Sequence, residues 1–203
     1  MMIIVATNYL IGIDEVGRGP LAGPITVGAV AAKGSTKFLR GIKDSKKLSP
    51  RQREEWLRKI KTWNLKHGTL SMVTASIEAA TIDKIGIAAA ARLAVMRCLQ
   101  KLIADHGLPA KYLKILLDGG LYAPAVYQHQ KTIIKGDEKI PIIAAASIVA
   151  KVTRDRKMKK LHTKFPIYQF DLHKGYGTKL HQAAIREHGL SVLHRRTFCA
   201  KLI

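Results

Sequence analysis

The order of short apolar runs and longer helical segments constrains this chain more than any other feature. Residues 9–13 form an apolar run ending at Asp14, and residues 25–32, rich in Val, Ala and Ile, follow a turn segment containing Gly19, Pro20, Gly23 and Pro24. Both patterns predict buried strands. Further strands are expected at 69–76, which alternates and is β-branched, at 112–117, which ends at Asp118-Gly119-Gly120, and at 131–134. Helices are expected at 49–63 (Ser49 as N-cap, Pro50 at the first position), 81–104 (closed by Gly107 and Pro109), 142–161 and 178–188 (closed by Gly189). The first half of 142–161 is nearly all small and apolar, so it must be buried. Strands come first and helices alternate with them afterwards, which predicts an α/β fold with a mixed central sheet flanked by helices. No repeat or linker divides the 203 residues. A single domain over 1–203 is expected, basic and helical from about residue 160.

Charge narrows the function. The chain carries 35 Lys and Arg against 14 Asp and Glu, a formal net charge of +21, while 47% of its residues are hydrophobic. Apolar content of that order argues against disorder as the cause of the charge. A folded chain this basic is expected to meet a polyanion, either nucleic acid or an anionic membrane surface. No apolar run reaches the roughly 18 residues that span a bilayer, and no basic segment precedes the apolar N-terminus as in a signal peptide. Cys98 and Cys199 form neither a disulfide framework nor a zinc motif, and they suit a reducing cytoplasm.

With so few acids, each can be weighed. Glu54, Glu55, Asp105 and Glu187 lie in polar helical surroundings and read as solvated charges. Asp14 and Glu15 end one apolar strand, Asp118 ends another, and Asp155 lies in the second half of the helix whose first half is buried. Buried carboxylates are costly unless paired or bound to a cation, and strand ends open into the crevice where α/β proteins place their sites. Four such acids could hold two hard divalent cations through oxygen. Each also has a plainer reading: Asp14 as a turn cap, Asp118 as half of a turn dipeptide, Asp155 as the i,i−4 partner of Lys151.

The segment from Gly17 to Pro24 is neither a P-loop nor a dinucleotide fingerprint. Gly17 and Gly19 flank Arg18 and would let a ligand approach the backbone, unless the segment is only a tight turn. Positive charge concentrates in residues 33–66, with twelve Lys and Arg against three acids, and in 151–203, with thirteen against three. Aromatic residues lie within the second stretch. Tyr176, flanked by Gly175 and Gly177, is the best placed to stack on a nucleic acid, whereas Phe165 and Phe170 suit a core. His162, His173, His181, His188 and His194 are spaced by six to eleven positions and do not read as a metal set.

The run Ile13-Asp14-Glu15-Val16-Gly17-Arg18-Gly19-Pro20-Leu21-Ala22-Gly23-Pro24 closely resembles the first motif of bacterial ribonuclease HII. Further blocks follow in the family's order: Asp44-Ser45-Lys46-Lys47-Leu48, Leu117-Asp118-Gly119, Lys135-Gly136-Asp137 leading into the helix from Ala144 to Asp155, His173-Lys174-Gly175-Tyr176-Gly177-Thr178, and His194-Arg195-Arg196-Thr197-Phe198. The resemblance implies a ribonuclease H-like fold. It also implies endonucleolytic cleavage of RNA in RNA–DNA hybrids and at single ribonucleotides in duplex DNA, with two Mg²⁺ or Mn²⁺ ions. It maps the catalytic and metal-binding acids onto Asp14, Glu15, Asp118 and Asp155. It gives Gly17, Arg18 and Gly19 to the ribose 2′-OH, Tyr176 to the following sugar, and Lys46 to a phosphate. Asp137 receives no role. Gly86-Ile87 departs from the family's usual Asn-Ile and puts continuity of the long helix in question. No sliding-clamp-binding tail is read after Phe198, the additional N-terminal domain of ribonuclease HIII is not read either, and a monomer is expected. A non-catalytic basic binding protein is the competing reading, but it has no use for Asp14 and Glu15 beside a glycine loop.

Overall fold

The structure is a computed structural model that describes residues 9–108 and 113–202. Five strands form one mixed sheet in the order β3-β2-β1-β4-β5. Strand β1 (Tyr9–Val16) pairs antiparallel with β2 (Ile25–Lys33), and β2 pairs antiparallel with β3 (Leu70–Ile77). On its other edge β1 runs parallel to β4 (Leu113–Asp118), which runs parallel to β5 (Gln130–Ile133). Strand β1 outlasts its expected end at residue 13. Pairing with β2 continues to Val16↔Thr26, so Asp14 and Glu15 sit inside the strand.

Side chains alternate across a strand, so each strand serves two layers. Ile11, Ile13, Val27, Ala29, Ile115 and Leu117 face one side and form a core with helix α3 (Ile87–His106). The other side is covered by α1 (Pro50–His67) and α5 (Pro141–Lys164). Helix α1 begins as its sequence predicts, with a capping box between Ser49 and Gln52. The helix expected over 81–104 is two helices, α2 (Ala79–Ile85) and α3. Gly86 lies between them at φ +79° and ψ 158°, which a helix cannot hold. Of the expected strand and helix boundaries, Tyr112 and Pro109 lie outside the described residues. After β5 come a single turn, α4 (Gly136–Lys139), then α5, and the short helices α6 (Phe170–His173), α7 (Lys179–His188) and α8 (Arg196–Cys199).

Two strand glycines bring α5 onto the sheet. A Cβ on Gly12 would lie 2.3 Å from the Ile142 carbonyl oxygen, and one on Gly28 would lie 2.5 Å from that of Ala146. The matching face of α5 is Ala144, Ala145, Ala146 and Ala150, all buried. Helix backbone and strand backbone therefore touch with almost no side chain between them. We expect Gly12→Ala to force the two apart at an overpacking cost of about 1–3 kcal/mol, lowering the melting temperature by roughly 3–10 °C in a thermal denaturation scan.

Candidate active site

Strand alternation places Asp14 on the same face as Gly12, under α5, where only 4% of it is exposed. The Ser147 hydroxyl of α5 lies beside it. Because β1 and β4 are parallel and in register at Ile13↔Leu117, Asp14 and Asp118 emerge side by side at the same end of the sheet. A third carboxylate comes from α4. Lys135, in the left-handed region at φ +54°, turns the chain so that the Gly136 and Asp137 amides donate to Asp118 Oδ1, at 2.6 and 3.2 Å. One oxygen each of Asp14, Asp118 and Asp137 then lies within 4.8 Å of the others. Glu15 adjoins this set, and its Oε2 is buried without a hydrogen-bond partner among the described residues.

Four carboxylates at one place repel. Burial, then Glu15 and Asp118, hold the Asp14 carboxyl well above the usual range. Burial also raises Glu15, with Asp118 adding to it, against the pull of Arg18. Cations stand only at the rim: Arg18 Nη1 is 3.4 Å from Glu15, and Lys46 Nζ is 3.2 Å from Asp137. Hard oxygen ligands in excess of their counter-charges, one of them orphaned, are the donor set of a divalent cation such as Mg²⁺ or Mn²⁺.

The loop that follows β1 borders the acids and is held by two fully buried arginines, neither of which has a carboxylate partner among the described residues. Arg154 of α5 donates to the carbonyls of Pro24 (2.8 Å), Lys174 (2.9 Å) and Ala22 (3.2 Å). Arg195 donates to the carbonyls of Gly17 (2.6 Å), Arg18 (2.8 Å) and Gly23 (2.9 and 3.0 Å). Gly17 has φ +90°, and a Cβ there would strike Arg154 at 2.4 Å. Around Gly19 nothing lies within 4 Å. The Arg18 and Gly19 amides have no acceptor among the described residues.

The family model described as ribonuclease HII matches residues 11–201. The chain belongs to the ribonuclease HII family. It is 43% identical over 197 residues to the ribonuclease HII of Ralstonia pickettii, covering 95% of this chain and 79% of that one. The ribonuclease H2 of Pyrococcus horikoshii superposes with a TM-score of 0.70 at 28% identity, over 96% of each chain. Bst-RNase HIII, solved in complex with Mn²⁺, shares the fold at a TM-score of 0.72 and 21% identity, covering 97% of this chain and 69% of that one. The protein is accordingly a ribonuclease H-type hydrolase with a mixed sheet flanked by helices.

One of the expected site residues lies apart from the others. Asp155 is not brought to the other acids. It pairs with Lys151 at 2.8 Å and lies 3.9 Å from Arg53, the plainer of its two readings. The helix explains why: Ser147 stands beside Asp14, and eight residues further along α5 is about 12 Å of rise. Asp137 occupies the place instead. Lys46 is anchored over it by a short 3-10 turn, Ser45–Lys47, whose Ser45 hydroxyl bonds that of Ser147 at 2.8 Å.

Tyr176 is 39% exposed, with Lys151 Nζ 5.9 Å and the Arg154 guanidinium 5.7 Å from its ring centre. Its backbone is fixed by histidines that are distant in sequence. The Ser191 amide donates to His194 Nδ1 (3.0 Å), so His194 Nε2–H donates to His181 Nε2 (3.1 Å), and His181 Nδ1–H donates to the Tyr176 carbonyl (3.0 Å). Burial pushes both imidazoles down to about 4, so they stay neutral. The scattered histidines thus include a packed cluster of three, with His173 stacked on His181 and Phe170 buried among them.

The raised carboxyl of Asp14 has a consequence for stability. Such a group binds its proton more tightly in the folded chain than in the unfolded one. Its contribution is therefore full below the ordinary carboxylate range and is lost as pH rises through the raised value. We expect metal-free Asp14→Asn to be more stable than the parent at neutral pH by on the order of 1 kcal/mol or more. Added Mg²⁺ should raise the melting temperature of the parent well above any effect on the variant. Thermal scans with and without chelator read both.

Proposed function

We propose that this protein is an endoribonuclease acting on the RNA strand of RNA–DNA hybrids and on the 5′ side of single ribonucleotides embedded in duplex DNA, with two divalent ions, Mg²⁺ or Mn²⁺. The observation that carries the reading is the convergence of Asp14, Asp118 and Asp137, with the orphaned oxygen of Glu15, at the ends of parallel strands beside an open glycine loop. These four acids would hold the ions. Ions held there would supply a lowered pKa for an attacking water and charge stabilisation for the leaving oxygen, chemistry that would leave 5′-phosphate and 3′-hydroxyl ends.

The remaining groups select and orient the substrate. With the Gly17 and Arg18 carbonyls engaged by Arg195, the free amides of Arg18 and Gly19 are the donors best placed to meet a ribose 2′-OH, the group that separates RNA from DNA. The open space at Gly19 admits the sugar, while Gly17 gives the loop its bend. Tyr176 offers its ring to the deoxyribose that follows. Arg53, Lys151, Lys159 and Lys174 line a cleft of about 520 Å³ that also contains Asp155. They suit the phosphate backbone, and Lys46 offers a further cation beside the acids. In this reading the chain acts as one domain and as a monomer, with the helical part from about residue 160 holding the duplex. Removal of ribonucleotides from DNA in the cytoplasm is the corresponding role. No helix of the described residues is long and apolar enough to cross a membrane.

Two experiments test this. In the first, Asp137→Asn and Asp155→Asn are compared in Mg²⁺-dependent turnover of a hybrid. Asp137→Asn should lose at least about 100-fold, the scale of removing one charge-stabilising group from an active site. Asp155→Asn should retain most activity, and the opposite ranking would return Asp155 to the metal site. In the second, a DNA duplex with one ribonucleotide should be cut on its 5′ side, and replacing the 2′-OH by hydrogen should stop cleavage while affecting binding far less. A cut on the 3′ side would overturn the substrate reading.

A further inference from the structure

A second concave site lies away from the acids, along α1 from its second turn to its C-terminus. Trp56, Trp63 and His67 of α1 line a groove of about 760 Å³ together with Phe38. Phe38 stacks on Trp63 with ring centres 4.5 Å apart and planes 12° apart, and His67 lies against the same indole at 4.2 Å. The Trp63 Nε1–H donates to Thr69 Oγ1 at 3.4 Å, which fixes the ring's edge. Both indoles also cap the core beneath α1, but neither is fully buried.

Arg40, Arg58, Lys59 and Lys66 line the same groove, and none of them is in an ion pair among the described residues. Glu55 is the one acid in the lining, and Arg51, outside the groove, bonds it at 3.1 Å. The negative end of the helix dipole accounts for Lys66 and His67 at the C-terminus of α1. It does not account for Arg40, which comes from another segment, or for Arg58 and Lys59, two turns earlier. From Arg53, at the cleft near the acids, Trp63 is ten residues along the helix, about 15 Å.

We propose that this groove is a second nucleic-acid site, which takes unpaired bases of a single-stranded segment. Phe38 and His67 lie against Trp63, and Lys59 Nζ lies over the Trp56 ring at 4.8 Å, so a base would extend this stack at the exposed His67 ring, while the cations follow the phosphates as sequence-tolerant single-strand binding requires. A duplex keeps its base faces stacked inside and cannot use the rings. The site is independent of the cleavage reading, because its readout is binding and needs no catalysis.

The chain has two tryptophans, Trp56 and Trp63, and both line this groove, so tryptophan emission, excited selectively over the six tyrosines, reports on it. An oligothymidylate of about ten nucleotides should quench the fluorescence of the full chain saturably at low salt. For four phosphate contacts the log–log salt slope should be about −3. An abasic oligomer with the same number of phosphates should bind at least roughly tenfold more weakly, since stacking is lost. The exposed double replacement Arg58→Glu with Lys66→Glu should abolish quenching while the circular dichroism and melting temperature stay those of the parent. Absence of quenching by the oligothymidylate, equal quenching by the abasic oligomer, or stronger quenching by a polyglutamate peptide would each overturn the proposal, the last in favour of an acidic protein partner.

Discussion

The close approach of α5 to the sheet sets the positions of nearly everything else. Gly12 and Gly28 remove the side chains that would keep helix and strands apart, and the alanines of α5 fill the narrow space left. Helix and sheet normally interdigitate side chains, so a backbone-to-backbone contact fixes α5 with little freedom to slide. That helix then delivers Ser147 to Asp14, Arg154 to the loop after β1, and Lys151 to the cleft beside Tyr176. The same face that carries Gly12 carries Asp14 two residues later, so the packing contact and the acid site are consecutive positions of one strand face.

The division of labour between charges follows from that frame. Two arginines are buried without a carboxylate partner, and backbone carbonyls satisfy them instead. Burial, followed by the nearby Arg154 charge, draws Arg195 down to about 10, yet it remains cationic at neutral pH. Holding the glycine loop with carbonyls leaves the acids of β1 and β4 without buried cationic partners. Electrostatic strain is concentrated at Asp14, Glu15, Asp118 and Asp137, where a bound divalent cation would relieve it. Pairing Arg195 with Glu15 would have stabilised the metal-free chain and neutralised a candidate ligand, the usual conflict between stability and a poised site.

The C-terminal part carries no strand of the sheet and joins the site through hydrogen bonds. Leu21 and Arg195 connect it to the glycine loop: the Leu21 amide donates to the Gly175 carbonyl, and the Arg195 amide donates to the Leu21 carbonyl. Gly175 is required there, because a Cβ would sit 2.3 Å from the Ala22 carbonyl oxygen. Through the neutral His194–His181 pair this part also fixes Tyr176. Loop and tyrosine are therefore tied to each other through α5, which would let two distant segments of sequence meet a single substrate.

Local sequence determined much of this. Apolar alternation and turn residues marked the strands, and the N-cap at Ser49 and the closing Gly189 marked their helices. Asp14, Glu15 and Asp118 stood out because carboxylates at the ends of apolar strands are hard to explain by packing. The glycine segment and Tyr176 were legible for the same reason, polar or bare positions where local packing asks for neither. Tertiary structure alone decided the fourth acid. Asp137 reaches Asp118 through one turn begun by a left-handed Lys135 and held by two amide bonds across nineteen positions, while Asp155, on an obviously buried helix, is carried by its pitch to Lys151. The three packed histidines and the groove of Phe38 with two tryptophans were equally invisible, because each joins residues from separate segments. Periodicity reports which face of an element is buried. Only the packing of those elements, here set by two strand glycines under α5, decides which buried faces meet.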